Sequence, residues 1–214
     1  MKSHADYAAG KAGDSDAAYR LVKDCLSPEI IDSIRTTFEA RKPMIVSAHA
    51  IEQGGVNAIP EVLADFLGIH LGWHVESSIV QTNIVAHTGA DGFSRLARQA
   101  RFAGKVEPGN CYFLADDFVG QGGTLANLRS FILGCGGEAI GASVLTGKSF
   151  SANLSLTQET FDQLRTKHGK ELEIWWFATF GFDYKCLTES EARYLVNTPS
   201  VDRIRNQIAA ALEE

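Results

Sequence analysis

Apolar positions along the chain follow two rhythms. Short uninterrupted runs at Pro43 to Ala48, Cys111 to Ala115 and Ala139 to Leu145 have the length and continuity of strands buried on both faces. Val75 to Val85 is a longer extended run, interrupted by Gln81, Thr82 and Asn83. Between these runs the spacing becomes helical. Leu21, Val22 and Leu26 are followed by Ile30, Ile31, Ile34 and Phe38, and Ser27 with Pro28 divides them into two helices, because serine caps and proline fits a first turn. Ile59, Val62, Leu63, Phe66 and Leu67 mark a helix over Val56 to Leu67, with Asn57 as its N-cap and Pro60 in its first turn. Leu125, Leu128, Ile132 and Leu133 mark another, ended by Gly134, Gly136 and Gly137. Further helices are expected over Ser155 to His168, opened at Thr157 and stopped by Gly169, then over Ser190 to Val196 and Val201 to Leu212. Strands alternating with helices predict an α/β fold with a mostly parallel twisted sheet flanked by helices.

The same pattern sets the domain expectation. Residues 1 to 15, rich in Ala, Gly, Asp and Ser, read as a flexible N-terminus. Residues 16 to 150 read as the α/β core with its N-terminal helices, and residues 151 to 214 as a C-terminal helical subdomain. There, Trp175, Trp176, Phe177, Phe180 and Phe182 supply an aromatic cluster whose commonest use is packing. At 214 residues and 45% hydrophobic, the chain can bury one substantial core. A formal net charge of -6 gives little reason to expect nucleic acid as the main partner. No apolar run approaches the roughly 18 residues of a membrane span. With an N-terminus that lacks the apolar core of a secretion signal, this predicts a cytoplasmic protein. The four cysteines, at 25, 111, 135 and 186, form no metal-binding spacing, and three of them sit in apolar surroundings, where a cysteine behaves as a small hydrophobe.

Candidate chemistry concentrates between Asn110 and Leu125. An apolar strand ends in two adjacent carboxylates, Asp116 and Asp117; a loop of Gly120, Gln121, Gly122, Gly123 and Thr124 follows, and a helix begins. Backbone N–H groups at a helix N-terminus, approached closely through glycines, suit a phosphorylated, hydroxyl-bearing ligand. Just upstream, Arg95, Arg98 and Arg101 recur every three residues and Lys105 follows. On a helix the arginines would line one face, either as a solvated surface or as a complement to an anion. A competing signal, Ala142 to Ser149 with Gly147-Lys148-Ser149, satisfies a relaxed Walker A pattern. Its variable positions continue a strand and offer no glycine-rich loop, which argues against it.

The strand, paired acids and Gly-Gly-Thr loop resemble the phosphoribosyl pyrophosphate signature of type I phosphoribosyltransferases. Pro43 to Gly55 is similar to that family's first strand and pyrophosphate loop, and Ala86 to Lys105 to its mobile loop, so the resemblance covers residues 40 to 147. It implies a magnesium-dependent transfer of ribose 5-phosphate from phosphoribosyl pyrophosphate to a purine or pyrimidine base, in a homodimer with a variable hood. The alternative is a non-catalytic protein that binds phosphoribosyl pyrophosphate or a nucleotide. By resemblance, Asp116 and Asp117 would hold the ribose hydroxyls, with magnesium. Phe118, Val119, Gly120, Gln121, Gly122, Gly123 and Thr124 would cradle the 5-phosphate. Ala48, His49, Ala50, Ile51, Glu52 and Gln53 would lie against the pyrophosphate, and Arg95, Arg98, Arg101 and Lys105 would close over it. Gln121 stands where members usually carry Thr or Ser, and His49 is the only cationic candidate in a pyrophosphate loop that often carries Lys or Arg.

Overall fold

The computed structural model describes residues 1–49, 51–52, 55–83, 91–148 and 151–213, and their chain divides into two compact units. The first comprises residues 1–84, 100–118 and 127–146, the second residues 85–99, 119–126 and 147–214.

The first unit is built on β1 (Met44–Ser47), β6 (Cys111–Val119) and β7 (Glu138–Gly147), in the order β1-β6-β7 of a three-stranded parallel sheet. The α/β class expected from the alternating pattern is therefore present. Ile45, Phe113, Leu114 and Ala115 are almost wholly buried, which is why β1 and β6 read as continuous apolar runs rather than alternating ones. Register pairs Met44 with Tyr112 and Ser47 with Ala115. On the other side of β1, Ile45 donates its N–H to the carbonyl of His74 and accepts from the N–H of Glu76, with Val75 bridging. After β1 the chain thus returns beside it on one side, whereas β6 lies on the other.

Helices α1 (Tyr7–Lys11), α2 (Ser15–Cys25), α3 (Pro28–Phe38) and α4 (Ile59–Leu71) cover this sheet. Leu21, Ile59, Leu63 and Leu67 are completely buried in one cluster with Ile45 and Phe113. Residues 7–11, expected as part of a loose end, form α1, and Ala58 N–H donates to the carbonyl of its Gly10. α4 starts at Ile59 with Pro60 in its first turn, but its N-cap is Ala58, which leaves the Asn57 side chain for other bonds. Short β2 (Ile51–Glu52) and β3 (Gly55–Val56) pair antiparallel, as do β4 (Val80–Gln81) and β5 (Phe102–Ala103).

The second unit packs α5 (Gly92–Ala97), α7 (Gln158–Phe180), α8 (Glu189–Asn197) and α9 (Val201–Glu213) around Leu164, Trp176, Tyr184, Leu195, Ile204 and Ile208. Thr157 caps α7 by accepting from the N–H of Thr160. Gly169, expected to stop this helix, instead kinks it at φ 68°, and helix resumes through the aromatic run. Trp176 is fully buried among Phe180, Phe182 and Tyr184, so this part of the cluster is packing material, whereas Phe177 is exposed. The remaining helix, α6 (Gly123–Gly134), connects β6 to β7. Among the described residues no helix is long and apolar enough to cross a membrane.

Candidate ligand-binding site

Asp116 and Asp117 sit near the carboxyl end of β6, beside the carboxyl end of β1, where Ala48 donates its N–H to the carbonyl of Ala115. Both are buried, at 8% and 6% exposure. Asp117 is held from two sides: the Lys11 ammonium and the Asn57 amide each reach its Oδ2 at 3.2 Å. Asn57 also accepts from the N–H of Ile59, so one amide ties the start of α4 to the acid. Asp116 Oδ1 accepts from the N–H of Asp117 at 2.8 Å. Burial, reinforced by the neighbouring charge of Asp117, raises the Asp116 carboxyl well above the usual carboxylate range, against a smaller pull from Lys11. One ammonium thus offsets one of the two acids, and the other is favoured as a neutral carboxyl. Nearby on β1 and its continuation, the Ser47 hydroxyl and His49 Nδ1 are 2.8 Å apart, and the His49 carbonyl accepts from Gln81 N–H.

A magnesium ion at this acid pair, as expected from the resemblance, would have to share Asp117 with the Lys11 ammonium, which lies 3.2 Å from its Oδ2.

The glycine loop belongs to the second unit, and its contacts there are internal. Ser151 Oγ donates to the carbonyl of Gly120, and Thr188 Oγ1 donates to that of Gln121 at 2.6 Å. Gly122 has φ 87°, and a Cβ on Gly123 would lie 2.6 Å from Oε1 of Glu191. The close approach that glycine permits at the start of α6 is therefore used by one of the protein's own carboxyls. Gln121 Oε1 is buried with no hydrogen-bond partner among the described residues. The carbonyl of Val119 accepts from Lys148 N–H, and Thr124 lies in the first turn of α6. Phe118, in the first unit, lies under the Lys2 ammonium at 4.6 Å.

The basic residues do not line one helical face, which corrects that expectation. α5 ends at Ala97; Arg98 leaves the helix at φ -104°, ψ 85°, and its Nε donates to the carbonyl of Ala211. Arg101 lies in the approach to β5, where its N–H and carbonyl bond Asn83 and Thr82, and Lys105 pairs with Glu107. Within the presumed pyrophosphate loop, Ile51 and Glu52 form β2, while Ala50 and Gln53 lie outside the described residues, as do Ala86 to Ala90. β7 runs through Gly147, so the Walker A match is strand up to its glycine, as its variable positions indicated; its last residue, Ser149, lies outside the described residues.

Two residues of these clusters were missed by sequence reasoning. Lys11 lies in an Ala- and Gly-rich stretch with no signal of its own. Glu191 had one, the Thr188-x-x-Glu191 spacing of a capping box, which marks a helix start but not what the acid faces.

No family model matches the chain. It is 39% identical to Protein TraN of Escherichia coli over 214 residues, which is 100% of this chain and 48% of that protein. It is also 34% identical over 131 residues to an uncharacterized protein of Haemophilus influenzae, 61% of this chain and 29% of the relative. The chain spans about half the length of the first relative and less of the second. These findings overturn the resemblance to type I phosphoribosyltransferases: the full-length alignment is to Protein TraN. With it go transfer of ribose 5-phosphate, the alternative of a phosphoribosyl pyrophosphate- or nucleotide-binding regulator, the pentosyltransferase assignment, and the expected partners, a homodimeric copy included.

Proposed function

We propose that the first unit is a non-catalytic binding module for a small, neutral, hydroxyl-rich ligand, held at the carboxyl ends of β1 and β6. The observation that carries this reading is the buried, charge-compensated acid pair at the point where the chain returns on one side of β1 and β6 takes the other. In open α/β sheets such a switch point opens a crevice beyond the strand ends. The chemistry selects the ligand class. With Asp117 offset by Lys11 and Asp116 favoured as a neutral carboxyl, a charged ligand would lose hydration without meeting an uncompensated opposite charge. Hydroxyl groups both donate and accept, which matches a carboxylate, a protonated carboxyl, an amide and the Ser47–His49 pair.

Calorimetric titration of polyols, monosaccharides, alkylamines and carboxylates into the protein tests this; heat of binding is preferred because polyols stabilise proteins non-specifically. Saturable heat is expected from a polyol or monosaccharide and not from the charged compounds, and it is expected to be lost in Asp117→Asn. Equal binding by that variant, or binding confined to charged compounds, overturns the reading.

A further inference from the structure

Lys11 reaches Asp117 from a helix whose position other contacts fix. The Gly10 carbonyl accepts from the N–H of Ala58, and a Cβ on Gly10 would stand 3.2 Å from Ile59 Cγ1 and 3.3 Å from Ala18 Cα. The backbone beside Lys11 is therefore pressed between α2 and the start of α4. Asp6, which precedes α1, accepts two bonds from the Arg20 guanidinium of α2, and the His4 ring reaches Asp24 at 3.2 Å. Further back, Lys2 stands over the Phe118 ring, one residue beyond the acid pair. Residues 2–11 thus touch the carboxyl end of β6 at both of their ends, and the Lys11 ammonium meets the Asn57 amide on Asp117 Oδ2. The Lys11 side chain is 20% exposed and that of Asp117 9%, so solvent and salt screen this pair weakly.

We infer, on the binding reading of the acid pair, that Lys11 sets the charge selectivity of that site: its ammonium is a built-in occupant that keeps ligand cations out and leaves hydroxyl groups as the partners the acids accept. A lysine on an unanchored segment could swing into water and yield its place. Here, displacing the ammonium means either stripping a shielded charge of its counter-charge or moving α1, which Ala58 and Arg20 hold from other sides. A second cation sharing Asp117 with it would meet like-charge repulsion where screening is weak. A hydroxyl group meets neither obstacle, since it adds no charge and can donate to a carboxyl oxygen while accepting from an amide. Removing the ammonium reverses the selection. Asp117 is then left with the Asn57 amide, which supplies a hydrogen bond and no charge, and a small ammonium ion that enters stabilises the ionised acid. Lys11 acts here as a positioning and selecting group, with no reaction assigned to it.

Chemical rescue of the full chain, read by thermal unfolding, tests this. Lys11→Ala removes the outer part of the side chain, and n-propylammonium supplies the same atoms. The unfolding midpoint of Lys11→Ala is expected to rise saturably with n-propylammonium chloride and not with tetramethylammonium chloride at equal ionic strength, which carries the charge without an N–H donor. Wild type and Lys11→Arg are expected to respond alike to the two salts, and adding Asp117→Asn to Lys11→Ala is expected to abolish the rise. Lys11→Met, which keeps the apolar stem, provides a second measurement: saturable calorimetric heat with methylammonium, where wild type gives none. An equal response of Lys11→Ala to both salts, a rescue that survives Asp117→Asn, or methylammonium binding as strong in wild type as in Lys11→Met overturns the inference. Polyol binding by wild type separates it from the reading beneath it. Rescue without polyol binding upholds Lys11 as the occupant and overturns the ligand class alone, whereas polyol binding without rescue overturns the role of Lys11 alone.

Discussion

Asp116 and Asp117 are neighbours in sequence with different tasks, because the Lys11 ammonium bonds Asp117 directly and exerts only a smaller pull on Asp116. Asp116 holds its proton more tightly when folded than when unfolded, since burial and Asp117 both raise it. Its contribution to stability is therefore full below the unfolded value of 3.8 and is lost as pH rises through the folded value. Asp116→Asn, which resembles the protonated acid, is expected to raise the midpoint of thermal unfolding at neutral pH and to flatten its fall with pH. Removing the cation has the opposite effect. Lys11→Met leaves a buried carboxylate with only an amide and is expected to cost about 2 kcal/mol in urea unfolding. The acids themselves were legible, because two carboxylates after a buried apolar run have few structural uses. Their partners were not: Lys11 meets Asp117 across 106 positions, and no local pattern encodes a contact at that separation.

Elements were legible where one physical rule acted alone. The Ser27–Pro28 break, the Thr157 cap and the apolar runs of β1 and β6 lie where capping and burial place them. The arginine spacing misled because a period of three residues is also compatible with a short helix that ends between the first and second members. Gly169 misled because a residue at positive φ can kink a helix as well as end it, and the packing of Trp176 decides which. Gly104 carries the clearest backbone constraint, at φ 144° with the Ser78 carbonyl 2.3 Å from where a Cβ would stand. Gly104→Ala is expected to separate β4 from β5 and to destabilise the protein by about 2 kcal/mol, measured by urea unfolding, with exchange protection lost first at Thr82, whose N–H bonds the Arg101 carbonyl.

At the scale of the whole chain, the α/β class followed from strands buried on both faces, and the functional family did not follow from the motif. Strand, acid pair, glycine loop and helix in order describe a backbone path, but not what fills it. Here an ammonium fills the space beside Asp117 and a carboxyl fills the space beside Gly123. The similarity to Protein TraN runs over the whole of this chain and about half of that protein. The central claim concerns the acid pair, and carbon-13 NMR of the aspartate carboxyls during titration with a polyol tests it most directly. Asp116 is expected to keep its proton well above the pH at which a surface aspartate loses it. The signals of Asp116, Asp117 and the Asn57 amide are also expected to shift together and saturate. An Asp116 that ionises in the ordinary range, or polyol-induced shifts that leave these three residues untouched, would contradict it.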